Sequence, residues 1–359
     1  MLRKDTMIPA YFERKVKENY IIYSAAFELT WRCNFRCIHC YQYAQSSPEL
    51  TTDEIKDIIA QLTDIGCLFL SFTGGEPLLR DDFWEIAEYA REKTFALTLQ
   101  TNGFLLTVES INRIRELSFL DVDLSLLGAT PRTHDAIVGR RGSFQKVVQA
   151  IGLLRKNGIG VNVKVTLLKQ NFPEMGQMKA LVEDLDARLV MSPLVFPMRR
   201  GKSVDDMRID DQEMRAYYRT MIPFDKLEKE EERTEEVSFL TCQTGKTFCC
   251  INPKGKVYPC IMLPIVVGDL SKNSLREIWH TDPSALLERI RCIEVSDLTG
   301  CPECSLASKC TRCSALSYLE TGDMCSPADE SCRMAKNLEE VISHWKQKKT
   351  QEESMSRRR

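Results

Sequence analysis

An α/β fold is what the sequence predicts: a partial (β/α)6 TIM-type barrel followed by a cysteine-rich C-terminal domain. Three observations predict it. Apolar strands and amphipathic helices alternate six times between residues 24 and 195. Fifteen cysteines in 359 residues fall into a short N-terminal group, a lone Cys67 and a dense group after residue 241. A run of charge, Lys226 to Glu236, separates the body from that last group. Six units in about 200 residues suit a partial barrel better than a closed eight-unit one. A doubly wound open sheet gives the same linear order, and periodicity alone does not separate the two.

The elements follow in order. Residues 24–30 read as a strand that delivers the chain to the first cysteines. Thr51 and Glu54 form a capping-box pair ahead of Ile55, Ile58, Ile59, Leu62 and Ile65, a helical stripe that Gly66 stops. Cys67 to Phe72 is a buried strand ending at Thr73-Gly74-Gly75-Glu76-Pro77. A helix from near Asp82 turns Phe83, Trp84, Ile86, Ala87 and Ala90 inward. Phe95 to Gln100 is a strand closing in Thr101-Asn102-Gly103, and Val108 to Leu117 is a helix. Val122 to Leu126 is a strand; a loop leads to a helix from Phe144 to Lys156. Val161 to Leu168 and Arg188 to Val195 are the last two strands, with a helix after Pro173 between them. The expected organisation is an N-terminal arm (1–23), the barrel (24–225), a charged linker (226–240), the cysteine-rich domain (241–335) and a C-terminal helix with a basic tail (336–359).

Composition narrows the function classes. The chain is 43% apolar, 28% charged and carries a formal charge of −2, ordinary for a globular protein. So small a net charge offers no bulk attraction for nucleic acid or an anionic membrane. The N-terminal residues lack the apolar core of a secretory signal, and no run of about 18 apolar residues is present. A cytoplasmic location is therefore expected, and cysteines there point to metal or redox chemistry before disulfides.

Cys33-x3-Cys37-x2-Cys40 supplies three thiols from one loop at a strand end. A structural zinc site wants four ligands, for which His39 is the nearest candidate. Three thiolates on a 4Fe–4S cube instead leave one iron open to another ligand. The segment Trp31-Arg-Cys-Asn-Phe-Arg-Cys-Ile-His-Cys-Tyr41 resembles the defining motif of the radical S-adenosylmethionine (SAM) superfamily. Gly74-Gly75-Glu76-Pro77 is similar to the motif whose backbone holds the methionine amine of SAM in that superfamily. Asn102, in its Thr-Asn-Gly turn, and Ser125, which matches the ribose contact, follow at successive strand ends. The resemblance implies SAM bound at the open iron and cleaved reductively to methionine and a 5′-deoxyadenosyl radical, with the cofactors supplying the hard chemistry. Glycines at 74 and 75 would let backbone approach the ligand, and Glu76 would accept from its ammonium. His39 stands where an aromatic side chain usually lies near adenine. Two departures are visible: Leu127 replaces a frequent Asp, and Val138 replaces a frequent Arg. Arg140 and Arg141 come slightly later, and we take Arg140 as the candidate.

Cys301-x2-Cys304-x5-Cys310-x2-Cys313 with Cys332 downstream, and Cys242 and Gly255-x4-Cys260 upstream, resembles the SPASM domain, which holds two auxiliary 4Fe–4S clusters. Taken alone, the CxxC pairs are equally those of zinc knuckles. The resemblance assigns Cys301, Cys304, Cys310 and Cys332 to an outer cluster. It assigns Cys242, Cys260 and Cys313 to an inner one, with Cys249 or Cys250 as its fourth ligand. Cys313 follows Cys310 by one residue fewer than is usual, and Cys325 is an alternative to Cys332. Cys67 and Cys292 read as structural thiols.

SPASM proteins mostly modify peptides or proteins, so the expected substrate is a ribosomally made peptide. Sulfatase maturases carry an Asp after the cysteine of the Gly-x4-Cys segment; Ile261 stands there instead. A fused peptide-recognition domain needs about 80 residues, and 32 precede Cys33, so a separate leader-recognition protein is expected. Flavodoxin or ferredoxin is the expected reductant. A small-molecule substrate of the tetrapyrrole or aminoglycoside kind, and a non-catalytic metal-binding scaffold, are the alternatives. No general base stands out among the four histidines.

Overall fold

The structure is a computed structural model and describes residues 15–42, 48–197, 203–223, 242 and 244–356. Six parallel strands lead it: β1 (Ser24–Thr30), β2 (Phe69–Gly74), β3 (Ala96–Thr101), β4 (Asp121–Ser125), β5 (Gly160–Thr166) and β6 (Arg188–Ser192). They alternate with α1 (Thr52–Asp64), α2 (Phe83–Glu92), α3 (Val108–Glu116), the pair α4 (Pro131–Val138) and α5 (Ser143–Lys156), and α6 (Met175–Asp184). Helix α7 (Asp211–Met221) follows, then β7 (Phe248–Ile251), β8 (Lys256–Tyr258) and β9 (Gly268–Asp269). Three helices end the chain: α8 (Ala285–Arg291), α9 (Ser314–Thr321) and α10 (Asp329–Ser356).

Local chemistry explains where these elements begin and end. Thr51 caps α1 through the full capping box with Glu54, and Gly66 turns the chain out at φ +86°. The predicted inner face of α2 is buried at Phe83, Ile86, Ala87 and Ala90. Trp84 instead rests at its margin, beneath the Arg113 guanidinium. Asn252 to Gly255 forms the turn between β7 and β8, with Gly255 at φ +71°.

Side chains alternate across the sheet and divide it into two layers. Ala25, Phe27, Leu29, Leu70, Phe72, Leu97, Leu99, Val122, Leu124, Val161, Val163 and Val165 face the helices and join their stripes in the main core. The opposite register positions are polar: Glu28, Thr73, Gln100, Asp123, Asn162 and Lys164. They line the concave side of the partial barrel. Gln100 bridges Thr73 and Ser71, and Asp123 accepts from Asn162 at 2.7 Å and pairs with Lys164 at 3.2 Å. An apolar outer face and a polar concavity are the pattern of a barrel that keeps its interior for ligands rather than for packing.

The sheet is larger than the sequence predicts. Its order is β6-β5-β4-β3-β2-β1-β7-β8-β9. Strand β7 pairs in parallel with β1, Ser24 opposite Phe248 and Ala26 opposite Cys250, while β7–β8 and β8–β9 are antiparallel. The cysteine-rich region therefore contributes a seventh parallel strand to the barrel sheet. No local signal announces this pairing, because the partner strand lies more than 200 residues away in sequence.

Helices α4, α7, α8 and α9 were not anticipated. α4 is only two turns, begins on Thr130 with Pro131 at its first position, and ends at Gly139 in the left-handed conformation. α7 opens with an Asp210–Glu213 capping box. The C-terminal helix starts at Asp329, earlier than the predicted boundary, and packs on α7 through Arg333–Asp211 and Arg215–Glu340. The charged run from Lys226 to Glu236 lies outside the described residues. Among the described residues, no helix is long and apolar enough to cross a membrane.

Candidate active site

The loop from Trp31 to Cys40 leaves the C-terminal end of β1 and is gripped from three sides. From β2, Gly75 N–H donates to Thr30 O at 2.7 Å and Glu76 N–H to Arg32 O at 2.8 Å. From the C-terminal end of α4, Val138 O accepts from Arg36 N–H at 2.9 Å and Ile137 O from Ile38 N–H at 3.0 Å. From below, Glu49 accepts from the Thr30 hydroxyl and the Trp31 N–H, each at 2.8 Å. Buried Arg80 adds bonds to Leu29 O and Leu50 O and a two-point pair with Asp82.

These contacts give the paired glycines a structural reason of their own. A Cβ on Gly74 would run into the Thr30 carbonyl oxygen, and the residue sits at φ +134°. A Cβ on Gly75 would lie 2.7 Å from Arg32 C and 2.8 Å from Trp31 O. The glycines are required because the loop backbone passes directly over them, whatever a ligand asks of them.

Glu76 is likewise committed to the protein. Its Oε1 accepts from the Thr101 hydroxyl at 2.7 Å and from Leu78 N–H at 3.1 Å; its Oε2 accepts from Asn102 N–H at 2.8 Å. The side chain is fully buried, and burial, opposed by these bonds, pushes its carboxyl up to about 7. It ties the end of β2 to the end of β3. In the structure Glu76 is thus a strut between two strand ends.

Asn102 continues the connection into the cysteine loop. Its Nδ2 donates to Asn34 Oδ1 at 2.6 Å and lies 3.9 Å from Cys33 Sγ. Gly103, at φ +77°, turns the chain away beneath Leu124. Arg140 follows the α4 cap and stacks its guanidinium over Phe104, 4.7 Å from the ring centre, while Phe104 meets Phe35 of the loop edge to face. Ser125 ends β4 opposite Lys164 of β5.

The three thiols of the loop stand close enough to act on one another. Burial raises the Cys37 thiol to about 12, with the neighbouring Cys40 and Cys33 adding to it. Burial also raises Cys33, against the Phe35 N–H that donates to its sulfur at 3.4 Å. Three thiols that disfavour one another's ionisation become stable thiolates only with a cationic centre among them. The loop also contains two buried polar atoms without partners, Asn34 Nδ2 and His39 Nδ1, as expected where a bound group completes the bonding. His39 is held neutral, its imidazole lowered to about 4 by burial. Among the described residues no three donors close on a single ion.

In the C-terminal region the thiols sort into two sets. Burial and the neighbouring Cys332, Cys301 and Cys304 raise Cys310 to about 11. Burial, with Cys242 and Cys313 beside it, raises Cys260 to about 11. Cys313 is a neighbour of both Cys242 and Cys260. For Cys325 the charged groups that act on the thiol most are Asp323, Arg312, Asp297 and Arg289. Cys249 departs from the expectation. It points into the helix-facing core, fully buried, with Cys67 as its thiol neighbour. Strand alternation puts Cys250 on the other face, paired with Tyr258 two residues before Cys260.

A partial barrel presenting a three-thiol loop above a polar concavity, with two further thiol sets on an appended lobe, defines an iron–sulfur radical enzyme. The chain belongs to the radical SAM superfamily. The superfamily matches residues 27–182, and the SPASM iron–sulfur cluster-binding domain matches residues 242–314. Its cofactors are accordingly SAM and 4Fe–4S clusters. It is 32% identical over 327 residues to the AdoMet-dependent heme synthase of Methanosarcina barkeri, covering 83% of this chain and 93% of that protein. It is 30% identical over 305 residues to the mycofactocin maturase MftC of Mycobacterium tuberculosis, covering 79% of this chain and 76% of the relative. Its fold matches SuiB of Streptococcus suis, solved with the precursor peptide SuiA, at a TM-score of 0.70 and 17% identity, over 89% of this chain and 78% of that one.

Sequence reasoning did not single out Asn34, Glu49, Arg80, Phe104, Asp123 or Lys164. Asn34 lies inside the cysteine motif and was legible there. The others come from separate strands and turns that only the sheet brings together.

Proposed function

We propose that this enzyme generates a 5′-deoxyadenosyl radical at a cluster held by Cys33, Cys37 and Cys40 and abstracts hydrogen from a peptide bound in the barrel concavity, maturing a ribosomally made peptide. The polar lining of that concavity carries the reading. Gln100 and Lys164, both partly exposed, with Asp123 beside Lys164, offer donors and acceptors suited to the amides of an extended peptide. The identity with MftC and the fold shared with peptide-bound SuiB support it.

When bound, SAM and its cluster supply the electron transfer and the radical. The protein's part is to hold and shield them. The backbone of Gly74 and Gly75 and the side chains of Glu76, Asn102 and Ser125 would hold SAM, His39 would serve at the adenine, and Arg140, braced by Phe104, would join them. Glu76 and Asn102 fix the two strand ends that carry these groups. Cys301, Cys304, Cys310 and Cys332 hold the outer auxiliary cluster. Cys242, Cys260 and Cys313 hold the inner one, with Cys250 rather than Cys249 completing it. A separate leader-recognition protein, flavodoxin or ferredoxin as reductant, and a cytoplasmic setting complete the proposal.

The identity with the heme synthase favours a second reading, a tetrapyrrole-type substrate. Anaerobic incubation with SAM, dithionite and either the product of a short neighbouring reading frame or an iron porphyrin separates them. A mass change in the peptide supports the first reading; turnover of the porphyrin alone overturns it.

A further inference from the structure

We propose that the carboxamides of Asn34 and Asn102 form a paired hydrogen-bond donor that positions the Cys33 thiolate and sets the reduction potential of the cluster it ligates. This inference rests on the assignment of the Cys33–Cys37–Cys40 loop to the SAM-binding cluster.

The Asn102 amide has its orientation fixed by neighbours rather than by choice of rotamer. Its Oδ1 accepts from Phe104 N–H at 3.0 Å, so its NH2 group must face the opposite way. There one hydrogen goes to Asn34 Oδ1 at 2.6 Å, and the other is left for Cys33 Sγ at 3.9 Å. The residue cannot retreat from this position, because its backbone N–H is held by the buried Glu76 carboxylate.

Accepting that bond turns the Asn34 amide as well. With Oδ1 committed to Asn102, its Nδ2 is a buried donor that finds no protein acceptor. Leaving such a donor unmet is costly, and a cluster seated on the adjacent Cys33 would offer the missing acceptors in its sulfurs. The Phe35 N–H already donates to Cys33 Sγ at 3.4 Å, so this cysteine is met by backbone and side-chain donors together.

N–H groups aimed at cluster sulfur stabilise the reduced, more negative state over the oxidised one and raise the potential. The two asparagines thus act on electron delivery to SAM through the cysteine, as positioning residues. They also couple it to the strand ends, since Glu76 and Asn102 join β2, β3 and the loop in one chain of bonds.

The test is a redox titration of the reconstituted holoenzyme followed by electron paramagnetic resonance, using the one signal that shifts when SAM is added. In Asn34→Leu and Asn102→Leu that signal is expected at a lower midpoint potential than in the parent, with the two auxiliary signals unmoved. Asn34→Gln, which keeps a donor, is expected to recover part of the shift. An unchanged potential in both leucine variants, or an equal shift of all three clusters, overturns the proposal. If Asn34→Leu does not retain the cluster, Asn34→Ala removes the donor without bulk. A lowered potential there upholds the inference, and loss of the cluster from it too assigns Asn34 a purely structural role. Absence of any SAM-responsive signal in the unmodified enzyme would instead refute the cluster assignment itself.

Discussion

Gly75→Ala puts the proposed grip on the cysteine loop under direct stress. The added methyl would sit 2.7 Å from Arg32 C and 2.8 Å from Trp31 O, where carbon contacts settle at about 3.5–4.0 Å. Relief requires a relative shift of about 1 Å between turn and loop. The obstructing atoms are backbone, so no side chain can swing aside. Such a shift breaks Glu76 N–H to Arg32 O and strains Gly75 N–H to Thr30 O, now 2.8 and 2.7 Å long. Overpacking at about 1–3 kcal/mol and one or two hydrogen bonds at about 1 kcal/mol each give a local cost of about 2–5 kcal/mol. Arg32 adjoins Cys33, so the damage should fall on the first cluster. The assay is iron content with paramagnetic resonance after anaerobic reconstitution, beside 5′-deoxyadenosine formation. The expected result is loss of the SAM-responsive signal and at least a tenfold slower cleavage, with both auxiliary signals kept. A Gly75→Ala enzyme with the parent spectrum and rate would refute the reasoning.

Three further outcomes are expected. Glu76 titrates near 7 in the folded chain against 4.5 as the reference value. Its contribution to stability is therefore full below about pH 4.5 and is lost as pH rises through about 7, with a slope of up to about 1.4 kcal/mol per unit. Glu76→Gln should flatten that segment in urea unfolding followed between about pH 5 and pH 8, and an unchanged slope contradicts the assignment. Cys250→Ala should remove one auxiliary signal while Cys249→Ala and Cys325→Ser keep all three, read by the same resonance spectra; the reverse pattern for Cys249 and Cys250 would contradict the strand-face assignment. Arg80→Met takes the guanidinium from the partly buried Asp82 and from the carbonyls of Leu29 and Leu50, and it should lower the thermal midpoint measurably. A midpoint equal to the parent's would show that the pair does not brace the loop.

The sequence made the repeated units legible because each strand and helix carries its own period. Thr51 and Glu54, Gly66, and the stripe Phe83-Ile86-Ala87-Ala90 are local signals, and the structure reproduces them. What it concealed is non-local. The pairing of β7 with β1 depends on two short segments at opposite ends of the barrel region, and the two-turn α4 is too brief for a period to register. The site shows the same division. The three cysteines of the loop were visible by spacing. That Gly74 and Gly75 serve the loop backbone, that Glu76 is a buried strut, and that Cys249 faces the core were invisible, because each depends on which face of a strand meets which neighbour.

The central claim is tested most directly by incubating the anaerobically reconstituted enzyme with SAM and dithionite and measuring 5′-deoxyadenosine beside bound iron. The reading requires about twelve irons per chain, from three four-iron clusters, and 5′-deoxyadenosine that disappears when Cys33, Cys37 and Cys40 are replaced by alanine. A chain that binds zinc alone and forms no 5′-deoxyadenosine, or one whose cleavage survives loss of all three cysteines, would contradict it.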